Sequence, residues 1–499
     1  MPVIVHQANE RKRLGLEYRK SIKEMPYLSL SFGLYWMATV LFLYSPFWLD
    51  STMQSSFARP QAGIITACAS IATYFCCASC FRSFAKLDEK PHFLSALSAT
   101  MALGTVLYLI SLAGFLSADF SMFLYIAGLV LLGASTAIAC LEFARIFAHI
   151  GPQRVLFHGT ISLFAGSIGA FVVSLLPEVA CAFALIALPT PMSLCLRKTL
   201  GALSLPQRKK IFTRGIDQKV HIPRRFLVTS AIQGLALGVM HHLLSEGSFA
   251  AFSTAGFCIA AILLAITAIV VMQDFNTLFY RVGFPMMALG FFAVSNMPDN
   301  LAIGCVILDA GYCYQYLISC CLCAYLAQHF EQSPIWIVGI STGSLLLGQF
   351  VGGFSAFVPS NNAATASLVA FLILGSALYL FSNHNITSGW GSIRPGENVV
   401  IDPLQEACRS FADAHGLSTR EKEVMTLLVK GHTRKEISEE LHLSEETIKS
   451  HTSNVYQKTS VHSKRELARL VEESMQVPVE LDTARQASCP LGTTARTTR

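Results

Sequence analysis

The chain has 499 residues, of which 53% are hydrophobic and only 14% charged. An average soluble domain carries about 25% charged residues, so composition excludes an ordinary globular enzyme. The net charge of +6 is unevenly spread: residues 28–381 hold 28 charged side chains in 354 positions, and residues 382–499 hold 31 in 118. The first block reads as membrane-embedded and the second as water-soluble.

Residues 1–27 are polar and basic, without a short apolar core and small-residue cleavage site, so no cleavable signal peptide is expected. Runs of about 20 apolar residues, the length of one bilayer crossing, then recur. They give twelve expected spans, near 28–49, 61–81, 92–117, 120–142, 155–176, 178–196, 226–244, 248–272, 277–295, 300–325, 334–358 and 363–381. With the N-terminus inside, the inner segments carry 21 Lys/Arg, nine of them between Arg197 and Arg225, and the outer segments carry Arg59 alone. Cytoplasmic loops retain positive charge, so both termini are expected on the cytoplasmic side of the inner membrane. Thirteen of the 15 Cys fall in the apolar block, where Cys behaves as a small hydrophobe. Cys77-x-x-Cys80 and Cys320-Cys321-x-Cys323 lack His partners, so no metal site and no cofactor is expected.

Polar groups inside a bilayer are costly, and each is a site candidate. Asp309 lies mid-span beside Tyr312 and Gln315, and Gln233 is an inward candidate on the seventh span. These four are the candidate contacts for an unidentified small-molecule ligand. A structural hydrogen bond to a neighbouring helix is the competing role for Asp309. Glu142 and Arg145, three apart, read as a structural ion pair, and Gly348-x-x-x-Gly352 permits close helix approach inside one bundle. The spans divide six plus six around the basic loop 197–225. That arrangement resembles the major facilitator type of transporter, with two six-helix halves around a central cavity. The loop signature usual after the second span of that family is absent; here the loop reads Arg82-Ser-Phe-Ala-Lys-Leu-Asp-Glu-Lys90, which counts against active transport.

Residues 382–416 read as a Gly- and Pro-containing linker with a short helix around Leu404–His415. From Leu417 four short helices are expected. Ser418 with Glu421, Thr433 with Glu436 and Ser463 with Glu466 form capping boxes, and Ser444 caps a helix reaching Thr459. Gly431 closes the first helix. The second and third, separated by His442-Leu-Ser444, form a helix-turn-helix over a core of Val424, Leu427, Leu428, Ile437, Leu441, Ile448 and Val455. The expected fold class is therefore all-α: a polytopic membrane helix bundle and a C-terminal four-helix domain over 417–475. Residues 476–499 are polar and read as a disordered tail.

Leu417-Ser-Thr-Arg-Glu-Lys-Glu-Val424, Gly431, Lys435-Glu-Ile437, Leu441, Leu443-Ser444, Thr447-Ile-Lys-Ser-His451 and Asn454 together carry a resemblance. The segment resembles the LuxR/GerE family of bacterial helix-turn-helix regulators. It departs at Ser450 and Thr459-Ser460, where the family is usually apolar and Leu-Gly. The resemblance implies binding of double-stranded DNA, with helix 445–459 in the major groove. Carried over, it gives Lys449, Ser450 and Ser453 as base-edge contacts and Thr433, Thr447, His451 and Lys458 as phosphate contacts. It gives Leu467, Leu470 and Val471 as the homodimer contact. Residues 417–475 contain ten Lys/Arg and ten Asp/Glu. Phosphate neutralisation supplies much of DNA affinity, so a lone monomer should bind weakly. Dimerisation, or confinement near the membrane, would compensate through effective concentration.

Only the linker precedes the helix-turn-helix, which leaves no room for a phosphorylated receiver domain. No kinase, nucleotide-binding or nucleophile motif appears, and no enzymatic activity is expected. The leading expectation is a membrane-embedded one-component transcription regulator whose bundle senses a small molecule or a membrane state. The alternatives are a working secondary transporter with a regulatory tail, and a bundle that merely anchors the tail.

Overall fold

The computed structural model describes residues 18–44, 59–87, 92–112, 116–215, 224–244, 250–267, 275–297, 300–354, 362–380, 408, 411–412, 415–429, 431–441 and 443–476. The chain divides into two compact units, residues 1–399 and 400–499. The expected tail beyond Gln476 and most of the expected linker lie outside the described residues.

In the first unit each expected apolar segment contains a helix among its described residues. A bilayer offers no water to backbone N–H and C=O groups, and a helix pairs them internally. A short α1 (Tyr18–Glu24) is bent by 82° from α2 (Leu28–Tyr44). There follow α3 (Arg59–Ser79), α4 (Phe81–Leu87), α5 (Phe93–Leu112), α6 (Ala118–Ile150) and α7 (Pro152–Ser174). The sixth expected span is divided into α8 (Glu178–Ala187) and α9 (Pro189–Gly201), because Pro189 has no N–H to continue the ladder. The basic loop holds α10 (Leu205–Thr213), opened by a Ser204–Gln207 capping box.

The second half comprises α11 (Arg224–Leu244), α12 (Ala250–Ile266), α13 (Phe275–Leu278), α14 (Phe284–Asn296), α15 (Leu301–His329), α16 (Pro334–Gly353) and α17 (Asn362–Leu380). A π-helical turn, Phe279–Gly283, joins α13 to α14. Pro285 cannot donate to the carbonyl one α-turn back, and the wider π turn ahead of it relieves that clash. By length and apolarity, seven described helical segments can cross a membrane, α8 and α9 counting together as Val179–Gly201, or eight if the bent α1–α2 pair is one span.

Small residues set the tightest seams. Gly234 and Gly238 on α11 interlock with Gly348 and Gly352 on α16; a β-carbon at Gly348 would collide with the Ala231 carbonyl, and one at Gly234 with that of Leu345. The Gly348-x-x-x-Gly352 motif is thus used inside the chain. Large apolar side chains such as Phe371, Leu378 and Tyr379 on α17 face outward.

The second unit holds α18 (Thr419–Val429), α19 (Arg434–Leu441), α20 (Glu445–Thr459) and α21 (Lys464–Gln476). Val424, Met425, Ile437, Ile448 and Val455 form its core, joined by Cys408 and Ala412, so packing begins upstream of Leu417. Two capping boxes close in both directions: Ser418 N donates to Glu421 Oε2 and Thr433 N to Glu436 Oε2, each at 2.7 Å. The box at Ser463 is half formed. Ser463 Oγ accepts from Glu466 N at 3.2 Å, but the Glu466 carboxylate accepts from His462 N instead. Gly431 (φ +101°) and Ser460 (φ +55°) end α18 and α20 in the left-handed region. The turn at Ser460 closes with Val461 N donating to Tyr456 O at 3.0 Å, without the glycine usual at such a position.

Candidate functional site

The first unit contains a cavity of about 560 Å³, counted out to its open mouth, between α2, α6, α11, α15 and α16. Helical spacing builds its walls. Phe143 and Phe147 are four apart on α6, and Tyr316, Cys320 and Cys323 recur at intervals of four and three on α15, so each set shares one face. Phe32 of α2 meets Phe143 and Phe147 edge-on, each with ring centroids 5.0 Å apart. Cys323 Sγ lies 3.5 Å from Ser341 Oγ on α16.

None of Asp309, Tyr312, Gln315 and Gln233 lines this cavity. The structure puts them in helix–helix seams. Gln233 Nε2 donates to the Tyr312 carbonyl at 3.3 Å, joining α11 to α15. Asp309 is fully buried where α12 comes close; a β-carbon at Gly256 would stand 2.8 Å from Asp309 Cβ. Gln315 is equally buried, against Gly283 in the π turn. Polar groups are costly in a bilayer, yet the cavity walls are largely aromatic rings, thiols and hydroxyls. Their spacing was the signal available.

Glu142 and Arg145 do pair, at 3.5 Å and almost without exposure. The Arg145 guanidinium also lies 5.3 Å from the ring centroids of Phe84 on α4 and of Phe212 on α10. The pair therefore fastens the end of α6 to two short helices, with the cation over aromatic faces.

In the second unit, α19 and α20 form the helix-turn-helix. On α20 Lys449, Ser450 and Ser453 are exposed along one stripe, while Ile448, Thr452, Val455 and Thr459 face the core. At about 100° per residue, Thr447, His451 and Lys458 fall on a third stripe, roughly half a turn from Lys449. Thr433 Oγ1 accepts from Glu436 N at 3.3 Å and Thr447 N donates to Ser444 Oγ at 3.1 Å. Thr433 and Thr447 thus stand at helix N-termini, where backbone dipoles favour anions. Lys449 Nζ donates to Glu446 at 3.2 Å in a fully solvated pair.

Two sets of the expected contact residues already have partners within the domain. Lys458 Nζ is tied to the buried carboxylate of Glu421 at 2.7 Å, because α18 packs beside the end of α20. Leu467 and Val471 are fully buried in the domain's own core, since the apolar stripe of α21 closes onto α18; of the three dimer candidates only Leu470 keeps partial exposure. The Lys458 hydrogen bond and the Ser418 N–H together hold the Glu421 carboxyl at about 2, well under its ordinary range. The Thr433 N–H lowers Glu436 in the same sense.

Residues 415–471 match the family described as bacterial regulatory proteins, luxR family. Over 53 residues the chain is 46% identical to the spore germination protein GerE of Bacillus subtilis (strain 168), which covers 72% of that protein and 11% of this chain. Through this region the chain belongs to the LuxR family.

The LuxR-family helix-turn-helix implies DNA binding. Its exposed stripe of Lys449, Ser450 and Ser453 is free of core duties, whereas the positions beneath it are not. Among solved structures, the chain is similar to a bacterial homologue of the iron transporter ferroportin in its outward-facing state, with TM-score 0.47, 14% identity, and 74% of this chain and 99% of that chain covered. It is also similar to the xylose transporter XylE from E. coli in a partially occluded inward-open conformation, with TM-score 0.46, 12% identity, and 72% and 97% covered. The LuxR-family region is joined, in the same chain, to a unit whose described helical segments include seven long and apolar enough to cross a membrane.

Proposed function

We propose that the protein is a membrane-embedded one-component transcription regulator. The observation that carries this reading is the joining, in one chain, of a LuxR-family DNA-binding region to an apolar helical unit with an internal cavity. The membrane unit senses a small molecule or a membrane state, and the tail reads a promoter as a homodimer. Twelve crossings put both termini in the cytoplasm, on the inner membrane. Reporter fusions at Asn9 and Ser382 test this: both should be active only with cytosolic probes. A signal at Ser382 from the opposite face would end the regulator reading, because the tail could not reach DNA.

The cavity also favours a second reading, a secondary transporter whose tail reports flux. Uptake by membrane vesicles, measured beside promoter activity in cells, separates the two. Promoter control without uptake supports sensing alone, and uptake without promoter control supports transport.

A further inference from the structure

We propose that the cavity between α2, α6, α11, α15 and α16 binds an uncharged aromatic small molecule. The proposal supplies a ligand class for the regulator reading and rests on that reading for the consequence of binding. Four rings, Phe32, Phe143, Phe147 and Tyr316, face the space. Phe32 already meets two of them edge-on, and a ligand ring continues that edge-to-face arrangement. None of the lining residues is acidic or basic. A charged guest would lose its water without gaining an ion-pair partner.

Some polarity remains. Ser230, Ser319, Ser341 and Thr342 bring hydroxyls to the wall, and Ser319 Oγ is buried with no hydrogen-bond partner. One donor or acceptor on the guest would satisfy it. The nearby charges are spoken for: Glu142 pairs with Arg145, and Arg145 lies between Phe84 and Phe212. Among the described residues no three side chains of His, Cys, Asp or Glu are grouped to hold a metal, so Cys140, Cys320 and Cys323 act as soft, polarisable wall.

The test uses the full chain in lipid nanodiscs and follows alkylation of individual cysteines by N-ethylmaleimide with mass spectrometry. The probes are phenol, indole and 2-naphthol, with indole-3-acetate and tryptamine as charged counterparts. At least one neutral probe should slow modification of Cys320 fivefold or more at saturation, leaving the exposed Cys76 and Cys80 unchanged. The charged counterparts should not protect. Phe143→Trp, or Ala144→Leu should the first fail to fold, fills the cavity and should abolish protection. Equal protection by charged probes, no protection by any neutral probe, or protection that survives cavity filling overturns the proposal. Promoter activity is measured with the same probes. Site protection without a promoter response defeats the sensing reading and leaves the site standing; a response without protection defeats the site and leaves sensing standing.

Discussion

The two units hold helices together with different materials. In the membrane unit the tightest seam, α11 on α16, is made of glycines whose removal of side chains lets backbones touch. In the C-terminal unit the helices are held apart by Val424, Ile437, Ile448 and Val455, and their ends are fixed by side-chain caps. Solvent explains the contrast. Lipid is as apolar as leucine, so helix association there gains from contact rather than from escape from water. In water the apolar side chain itself drives packing. Glycine occupies the left-handed region in both units, at Gly151 and Gly215 in the first and at Gly416 and Gly431 in the second, but only the first uses it for close helix approach, as in the α11–α16 seam.

Gly348→Leu should break the comparison most severely. The clash is with the Ala231 backbone, which cannot step aside as a side chain would. Overpacking ordinarily costs about 1–3 kcal/mol, and this site should exceed that range, with loss of folded full-length protein after membrane extraction. Gly416 has φ +62° and no atom within 4 Å of a would-be β-carbon, so Gly416→Ala should cost only about 1 kcal/mol in thermal unfolding. Equal effects would show that close approach at Gly348 costs no more to lose than a left-handed turn at Gly416.

Ion pairs sharpen the contrast next. Arg145→Met leaves Glu142 alone among apolar neighbours and should destabilise the membrane unit by about 3–5 kcal/mol. Adding Glu142→Gln should recover most of that loss, because the cost lies in the orphaned charge rather than in the missing attraction. Thermal unfolding in detergent reads both. A double variant no better than the single one would show that Arg145 matters through Phe84 and Phe212 instead.

Much of this was legible in the sequence because both solvents write strong patterns. Apolar runs gave the position of every described membrane helix, and Ser or Thr three residues before Glu marked the starts of α18, α19 and α21. The end of α6 was less legible, since Glu142 and Arg145 suggested an exit from the bilayer whereas their mutual pairing lets the helix run on to Ile150. The cavity was hidden for a different reason. Its walls are Phe, Tyr, Cys and Ser, ordinary packing residues in a membrane helix, and only tertiary contact separates a wall from a core. The same holds for Leu467 and Val471: an apolar stripe on α21 announces burial but does not say whether the partner is α18 or a second chain.

The tail's own ion pair should prove milder. Glu421 is buried but Lys458 is half exposed, so Glu421→Gln should cost about 1–3 kcal/mol, nearer the lower bound because solvent screens the lysine. The carboxyl sits at about 2 in the folded domain, below its ordinary 4.5. Its stabilisation is therefore complete above pH 4.5 and disappears as pH falls towards 2. Urea unfolding followed between those limits should show a steeper decline for the parent than for Glu421→Gln. Parallel curves would mean that the pair contributes nothing.

The smallest expected effects separate two lysines on α20. Lys449 and Lys458 lie nine residues apart, two and a half helical turns, and so face opposite ways. To reach a base edge Lys449 would give up only a solvated contact with Glu446, which is of little worth by itself. Lys449→Ala should therefore flatten preference among operator variants by about 1 kcal/mol, the low end for a base contact made by a point charge. Lys458 must serve Glu421 first, and its charge already faces that carboxylate at 2.7 Å. Lys458→Ala should weaken binding to all sequences alike, yet lower the salt slope by less than the single unit a free lysine would remove. Titrations of the full chain against an operator and its point variants at several salt concentrations decide this. A full unit lost at Lys458 would mean that DNA draws the lysine off Glu421 on binding, whereas no change there, with preference lost at Lys449, would leave the carboxylate in possession of it.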